Sequence, residues 1–304
     1  MPQTVSSPAQ SSHLDYIDLL NVLACFGVVV LHCNHCFWEG PQIGRAWITA
    51  NAIEPLFYWS APMFFMISGV TLMDYRQRMN TRLYFSQRVH KTLIPYLLWT
   101  LIALAIFFLY GRIPNITLRL FTTELISPSV MGVYWFFPAI FGVYLCLPAI
   151  SAIQPRRQIF RYLLFAGFIG QSLLPLLFQF ADLLAPTAFV PTVATGYIFY
   201  SILGYELASQ NLAPKQRAII YLLGLCGFLL QMLGTAVLST PDSISHVFKG
   251  YLNLPAVLQT PAIFVAVRQL CGRRTRPLPQ LVTRLSRTTF GIYLISLLPC
   301  GISS

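Results

Sequence analysis

Apolar residues run along this chain in long blocks separated by short polar and charged clusters. The stretches without Asp, Glu, Lys or Arg are 19–38, 55–73, 92–111, 125–155, 162–181, 183–205, 218–241, 250–267 and 288–304. A bilayer core of about 30 Å takes about 20 residues of apolar helix, with a range of roughly 17–25. Nearly all of these windows match that length, and 125–155 has room for a helix and an outer loop. None alternates apolar and polar positions in the manner of a membrane strand, and helices satisfy their own backbone in lipid. The pattern therefore predicts an all-α, polytopic integral membrane helix bundle of about nine transmembrane helices, the last of them short. Pro62, Pro95, Pro148, Pro175, Pro186 and Pro261 fall in or beside the expected helices, where bundles accommodate kinks and helix starts. Residues 1–13 are polar and Ser-rich, so a disordered N-terminal segment is expected there, without the basic, apolar and cleavage regions of a signal peptide. Residues 14–304 read as one transmembrane domain with no internal repeat.

Composition agrees with this reading and excludes its rivals. Charged residues make up 10% of the 304 and apolar or aromatic ones 56%, whereas a soluble domain carries about 25% charge. The balance is basic: 20 Lys and Arg against 9 Asp and Glu. Arg76, Arg78, Arg82, Arg88 and Lys91 follow the second window, Arg156, Arg157 and Arg161 the fourth, and Lys215 and Arg217 the sixth. Arg268, Arg273, Arg274, Arg276, Arg284 and Arg287 follow the eighth. The alternate loops hold only Arg45, Arg112, Arg119 and Lys249. Basic loops face the cytoplasm, so the N-terminus is expected there too. The positive charge is thereby used by topology, and no nucleic-acid partner is expected.

Ionisable groups inside a bilayer are expensive and mark candidate functional sites. In the first segment Asn21 and His32 lie eleven residues apart, on one helix face about 16 Å apart along the axis. His32 is toward the outer end, and an imidazole there can take a proton or an acyl group; it can equally be a hydrogen-bonding partner of another helix. The run His32-Cys33-Asn34-His35-Cys36 has spacings that suit zinc. On a continuous helix the four side chains do not share a face, and no second such pair exists, so no metal is expected. A disulfide at this end is the other reading of its cysteines. Glu54, at the start of the second segment, is either an interfacial charge or a partner for His32. Ser68 and Gly69 permit close helix contact. Arg88 and Lys91, three apart on a helix, either serve the charge bias or face one phosphate-bearing ligand together. Tyr134 and Trp135 open the fourth segment, where an aromatic belt is the plain explanation. Glu206 is expected at the inner interface near Lys215 or Arg217.

Five of these stretches, in order, resemble one family. The first is Tyr16-Ile17-Asp18 through Asn21 to Val30-Leu31-His32, and the second is Phe64-Phe65 to Ser68-Gly69. The third runs from Tyr84-Phe85 through Arg88 and Lys91 to Pro95-Tyr96 and Trp99. Tyr134-Trp135-Phe136-Phe137 with Tyr144 to Pro148, and Leu285-Ser286 to Gly291-Ile292-Tyr293-Leu294, complete the set. Together they resemble the membrane-bound acyltransferase 3 family. The chain differs from it in carrying Asn21 where the family has Arg or Lys, Ser296 where it often has His, and about nine helices where it usually has ten.

That resemblance implies a membrane O-acyltransferase that moves an acyl group, usually acetyl, from cytoplasmic acyl-CoA to a hydroxyl of a surface glycan or a lipid-linked glycan precursor. His32 would be the catalytic residue, as base or transient acyl carrier. Arg88 and Lys91 would bind the acyl-CoA phosphates, with Asn21, Glu54, Ser68, Tyr134 and Trp135 in support. Acyl-CoA (acetyl-CoA) would be a co-substrate with no bound cofactor, and membrane lipid and the glycan acceptor the remaining partners. A multi-pass location in the plasma (inner) membrane follows. The alternatives are a transporter, which would use similar midplane polar groups, or a catalytically inactive acyl-CoA- or glycan-binding membrane protein.

Overall fold

The computed structural model describes residues 11–38, 44–153, 157–181, 195–274 and 278–295. The described residues contain no β-strand. The helices are α1 (Ser11–Cys33), α2 (Arg45–Phe57), α3 (Ser60–Leu72), α4 (Thr81–Arg88), α5 (Ile94–Leu109), α6 (Leu118–Ile126) and α7 (Phe136–Ala152). They continue with α8 (Arg157–Gly167), α9 (Leu174–Phe180), α10 (Ile198–Ser209), α11 (Pro214–Leu238), α12 (Leu254–Gly272) and α13 (Gln280–Ile295). Among them seven continuous stretches are long and apolar enough to cross a bilayer: 15–33, 45–77, 81–109, 132–152, 157–180, 214–238 and 254–272. The protein is a polytopic helical membrane protein. The windows expected at 183–205 and 288–304 fall partly outside the described residues, as does most of the segment expected to be disordered; α1 already begins at Ser11.

Two of the crossings contain a widened turn, at Val89–Leu93 and at Phe168–Leu173. Each ends two residues before a proline, Pro95 and Pro175. Proline lacks an N–H and collides with the carbonyl four residues back. A π-type turn re-spaces the ladder and lets the helix continue through it.

The chain forms two compact units, one of residues 1–67 with 210–292 and the other of 68–209 with 293–304. In the first unit α11 packs along α12, and the contact is close because Gly224 lies against Ala262 and Gly227 against the Pro255 carbonyl. α1 meets α12 through Tyr16 and Phe264, whose rings sit edge to face at 5.9 Å. α2 is tied to α11 by the Asn51 amide, which donates to the Met232 carbonyl at 2.9 Å. In the second unit Gly69 faces the Ser201 backbone of α10 so closely that a β-carbon would collide with it. The packing role expected of Gly69 is the one it has.

Candidate functional site

In the first unit polar groups gather around the C-terminal end of α1. His32 lies in the last turn of that helix, half-buried. Just beyond, Asn34 is buried and its amide donates to the Ala50 carbonyl at 2.9 Å and to Glu54 Oε1 at 3.1 Å. The other Glu54 oxygen faces Lys249 Nζ at 3.6 Å, and both side chains are only 2% exposed. Lys249 also sits above an aromatic wall, 4.2 Å from the Phe37 ring centre, 5.6 Å from that of Tyr58 and 5.9 Å from that of Trp38. Burial pulls the Lys249 ammonium down to about 8, against the attraction of Glu54 that holds it up.

The sequence folds this way because the loop before α12 is pinned back onto the unit. Phe248 packs on Gly234 of α11, and any side chain at 234 would strike its ring. Asn253 holds the turn by donating to the carbonyls of Val247 (3.1 Å) and Lys249 (2.9 Å). Gly250 takes a φ of +146°, which a residue with a β-carbon rarely adopts. His246 stacks on Trp38 at 5.5 Å, and Tyr251 stacks on Tyr58 at 4.5 Å. Lys249 is thus delivered to Glu54 from a distant part of the chain.

Asn21 and Cys25, on the face of α1 that also carries His32, meet α13. The Asn21 amide donates to Ser286 Oγ at 3.3 Å, and Cys25 Sγ lies 3.5 Å from the Thr289 carbonyl. Asn21 therefore serves as a neutral helix-to-helix link at the position where the resemblance leads one to expect a cation. Cys33 and Cys36 are exposed free thiols.

The second unit positions the other candidates. Pro148 deprives the Tyr144 carbonyl, four residues back, of its helical donor, and the Tyr84 hydroxyl takes that place at 3.1 Å. The two tyrosines then carry Arg88, whose guanidinium carbon is 5.6 Å from the Tyr144 ring centre and 5.9 Å from that of Tyr84. Arg88 Nε is enclosed and has no acceptor among the described residues. Lys91 lies within the widened turn and is exposed. The re-spaced turn changes the angular offset between Arg88 and Lys91 from that of a regular helix, with the Arg88 guanidinium seated on two rings and Lys91 exposed. Ser68 is half-buried on α3.

Tyr134 is fully buried, packed against Tyr96 at 5.9 Å and Phe137 at 5.5 Å. Tyr293 closes the group by donating to the Val133 carbonyl at 2.8 Å. Trp135 is half-buried and meets the Tyr197 ring at 5.4 Å. The turn before them is built on Glu124, whose carboxylate accepts from the Ser129 hydroxyl (2.5 Å) and from the amides of Ser129 (2.8 Å), Val130 (2.9 Å) and Met131 (3.2 Å). Burial works against the Glu124 charge, and these donors outweigh it, holding the carboxyl below the usual range.

Two placements differ from the sequence expectation. Glu54 is not at the start of a segment but in the last turn of α2, and Glu206 lies in the last turn of α10, as a helix-end residue, but buried at 3% exposure. No local sequence pattern marks Lys249, Asn34 and their aromatic neighbours as a group. The available signal was Lys249 itself, one of four basic residues that the charge bias leaves unexplained.

No curated protein and no solved structure matches the chain. The acyltransferase domain that defines the acyltransferase 3 family does match it, over residues 14–303, and on that match through nearly all of its length the chain belongs to this family of acyltransferases.

Proposed function

We propose that the protein is a plasma-membrane O-acyltransferase, with its N-terminus cytoplasmic. It moves an acyl group, acetyl in the simplest case, from cytoplasmic acyl-CoA to a hydroxyl of a cell-surface glycan or lipid-linked glycan precursor. The observation that carries this reading is the match to this family together with the buried Glu54–Lys249 ion pair and its partner Asn34, two residues after His32 in the chain. Such a cluster is costly unless it is used.

His32 acts as general base. It takes the acceptor hydroxyl proton as that oxygen bonds to the acyl carbon, the thioester C–S bond breaks, and the thiolate of CoA leaves and is protonated by solvent. Just past the end of α1, the buried Glu54–Lys249 pair and the rings of Phe37, Trp38 and Tyr58 around Lys249 supply fixed polar and aromatic surroundings. Arg88, seated on two tyrosines with an enclosed donor, holds a phosphate of the donor at its own site. Tyr134 and Trp135 form the rigid aromatic wall of the second unit.

The test uses oriented proteoliposomes with radiolabelled acetyl-CoA on the N-terminal side and a hydroxyl-bearing glycan on the other. Label on the glycan, with one CoA released per acetyl transferred, is the expected result. Label that accumulates in the lumen without CoA release means transport. Saturable CoA binding with neither outcome means a non-catalytic binding protein, the reading favoured by the neutral Asn21–Ser286 link.

A further inference from the structure

The helices α11 and α12 carry a feature that the acyl-transfer reading leaves unused. Where they emerge on the face of the basic loops, a cleft of about 440 Å³ opens between the start of α11 and the end of α12. It is lined by Arg217, Arg268 and Arg273, and no carboxylate lines it among the described residues. Arg268 Nη1 donates to the Gln210 carbonyl at 2.8 Å, which fixes its guanidinium at the rim.

Deeper along the same two helices lies an apolar groove of about 270 Å³. Its floor is the close contact of Gly224 with Ala262, and its walls include Leu225, Phe228 and Ala266. Arg217, Tyr221, Gly224 and Phe228 recur at three- and four-residue spacing and so share one face of α11. That face runs from the cationic rim into the apolar groove over about 16 Å.

Gln269 and Tyr221 mark the boundary between the two. The Gln269 amide is satisfied with its oxygen accepting from Arg217 Nε (3.3 Å) and Nη1 (3.1 Å) and its nitrogen 2.9 Å from the Tyr221 hydroxyl. This holds Arg217 in place while leaving others of its five N–H donors for a ligand.

We infer that this cleft and groove together bind one anionic glycerophospholipid, its phosphate among Arg217, Arg268 and Arg273 and one acyl chain along Tyr221, Leu225 and Phe228. The head site matches the sign of the ligand, and basic pockets between membrane helices select such headgroups. The tail site matches a hydrocarbon chain better than a pantetheine arm, whose amides would find few side-chain partners along the groove: Gln259, the Tyr221 hydroxyl, and a Trp59 indole already donating to the Leu56 carbonyl at 2.8 Å. Lys and Arg near a membrane surface each contribute about 1 kcal/mol toward anionic lipid. The inference is independent of the acyl-transfer reading and stands or falls separately.

Native mass spectrometry of the full chain, released from mixed micelles of detergent with phosphatidylglycerol or phosphatidylcholine, tests it. One phosphatidylglycerol should remain on the wild-type protein, with phosphatidylcholine retained far less. Arg217→Gln/Arg273→Gln should bind phosphatidylglycerol about 30-fold more weakly, the equivalent of two surface charges at tenfold per 1.4 kcal/mol. Ala266→Phe, which fills the groove and leaves the arginines in place, should also lose the lipid. Equal retention of the two lipids, retention unchanged in both variants, or displacement of the lipid by CoA alone would each overturn the assignment.

Discussion

Two glutamates show how differently the two units of this protein handle the same problem. Glu54 and Glu124 are equally buried, at 2% and 1% exposure. Glu124 is met by four donors from its own next loop, three of them backbone amides. Such a cage favours the charged form and leaves nothing for a substrate, so Glu124 is a staple for the turn that sets Tyr134 and Trp135. Glu54 is met instead by an amide and by another ionisable group, Lys249, delivered from a loop far along the chain. A carboxylate balanced by a second titratable side chain remains poised to respond to a substrate or a proton. Burial alone does not separate structural from functional charge; the nature of the partner does.

The comparison can be broken most severely at Lys249. Lys249→Met leaves the Glu54 carboxylate buried without its cation, and breaking one side of a buried pair costs about 3–5 kcal/mol. Denaturant unfolding in micelles should show that loss, and Glu54→Gln/Lys249→Met should recover most of it. A loss below about 1 kcal/mol, the scale of an exposed pair, would mean the pair is not buried as described.

The next effect is on pH. The Lys249 ammonium is held near 8 in the folded protein against an ordinary 10.5. Between those values the unfolded chain keeps a proton that the folded chain has lost, so this residue makes stability rise with pH across that window. The full rise is roughly 3 kcal/mol at 1.36 kcal/mol per unit, and plots of stability against pH for wild type and Lys249→Met should differ in slope between about 8 and 10.5 and run parallel below that window.

Glu124 gives the smaller, opposite response. Its carboxyl is depressed, so its contribution is complete above the ordinary 4.5 and is lost as pH falls below that value. Glu124→Gln keeps one acceptor oxygen and should cost about 1.5–3 kcal/mol, the range for hydrogen bonds to a charged group. It should loosen the 127–131 turn in hydrogen exchange, and leave acyl transfer per folded molecule within twofold of wild type.

The same pair explains what was legible in the sequence. Gaps between charges located the membrane helices well, because most charged residues do sit at their ends. That logic assumes charges mark boundaries, and it misplaces Glu54, which is buried in the last turn of α2 within one continuous apolar stretch of 45–77. With Glu54 taken as a boundary, α2 itself was invisible. The Glu54–Lys249 pair joins segments remote in sequence, so no local pattern announces it. The i, i+3 spacing of Arg88 and Lys91 assumes a regular helical wheel, and the widened turn before Pro95 alters that spacing, which no local pattern announces. Gly69, whose small size was noted for packing, is in such contact.

We place the chemistry at the C-terminal end of α1, with His32 as base. The direct measurement is the single-turnover rate of acetyl transfer from labelled acetyl-CoA by His32→Ala and by wild type, at equal amounts of folded protein and with the melting temperature of each recorded. General base catalysis contributes about 10²–10⁴-fold, so the account predicts a rate at least 100-fold lower with the melting temperature unchanged. A His32→Ala protein that transfers acetyl within twofold of wild type would contradict it.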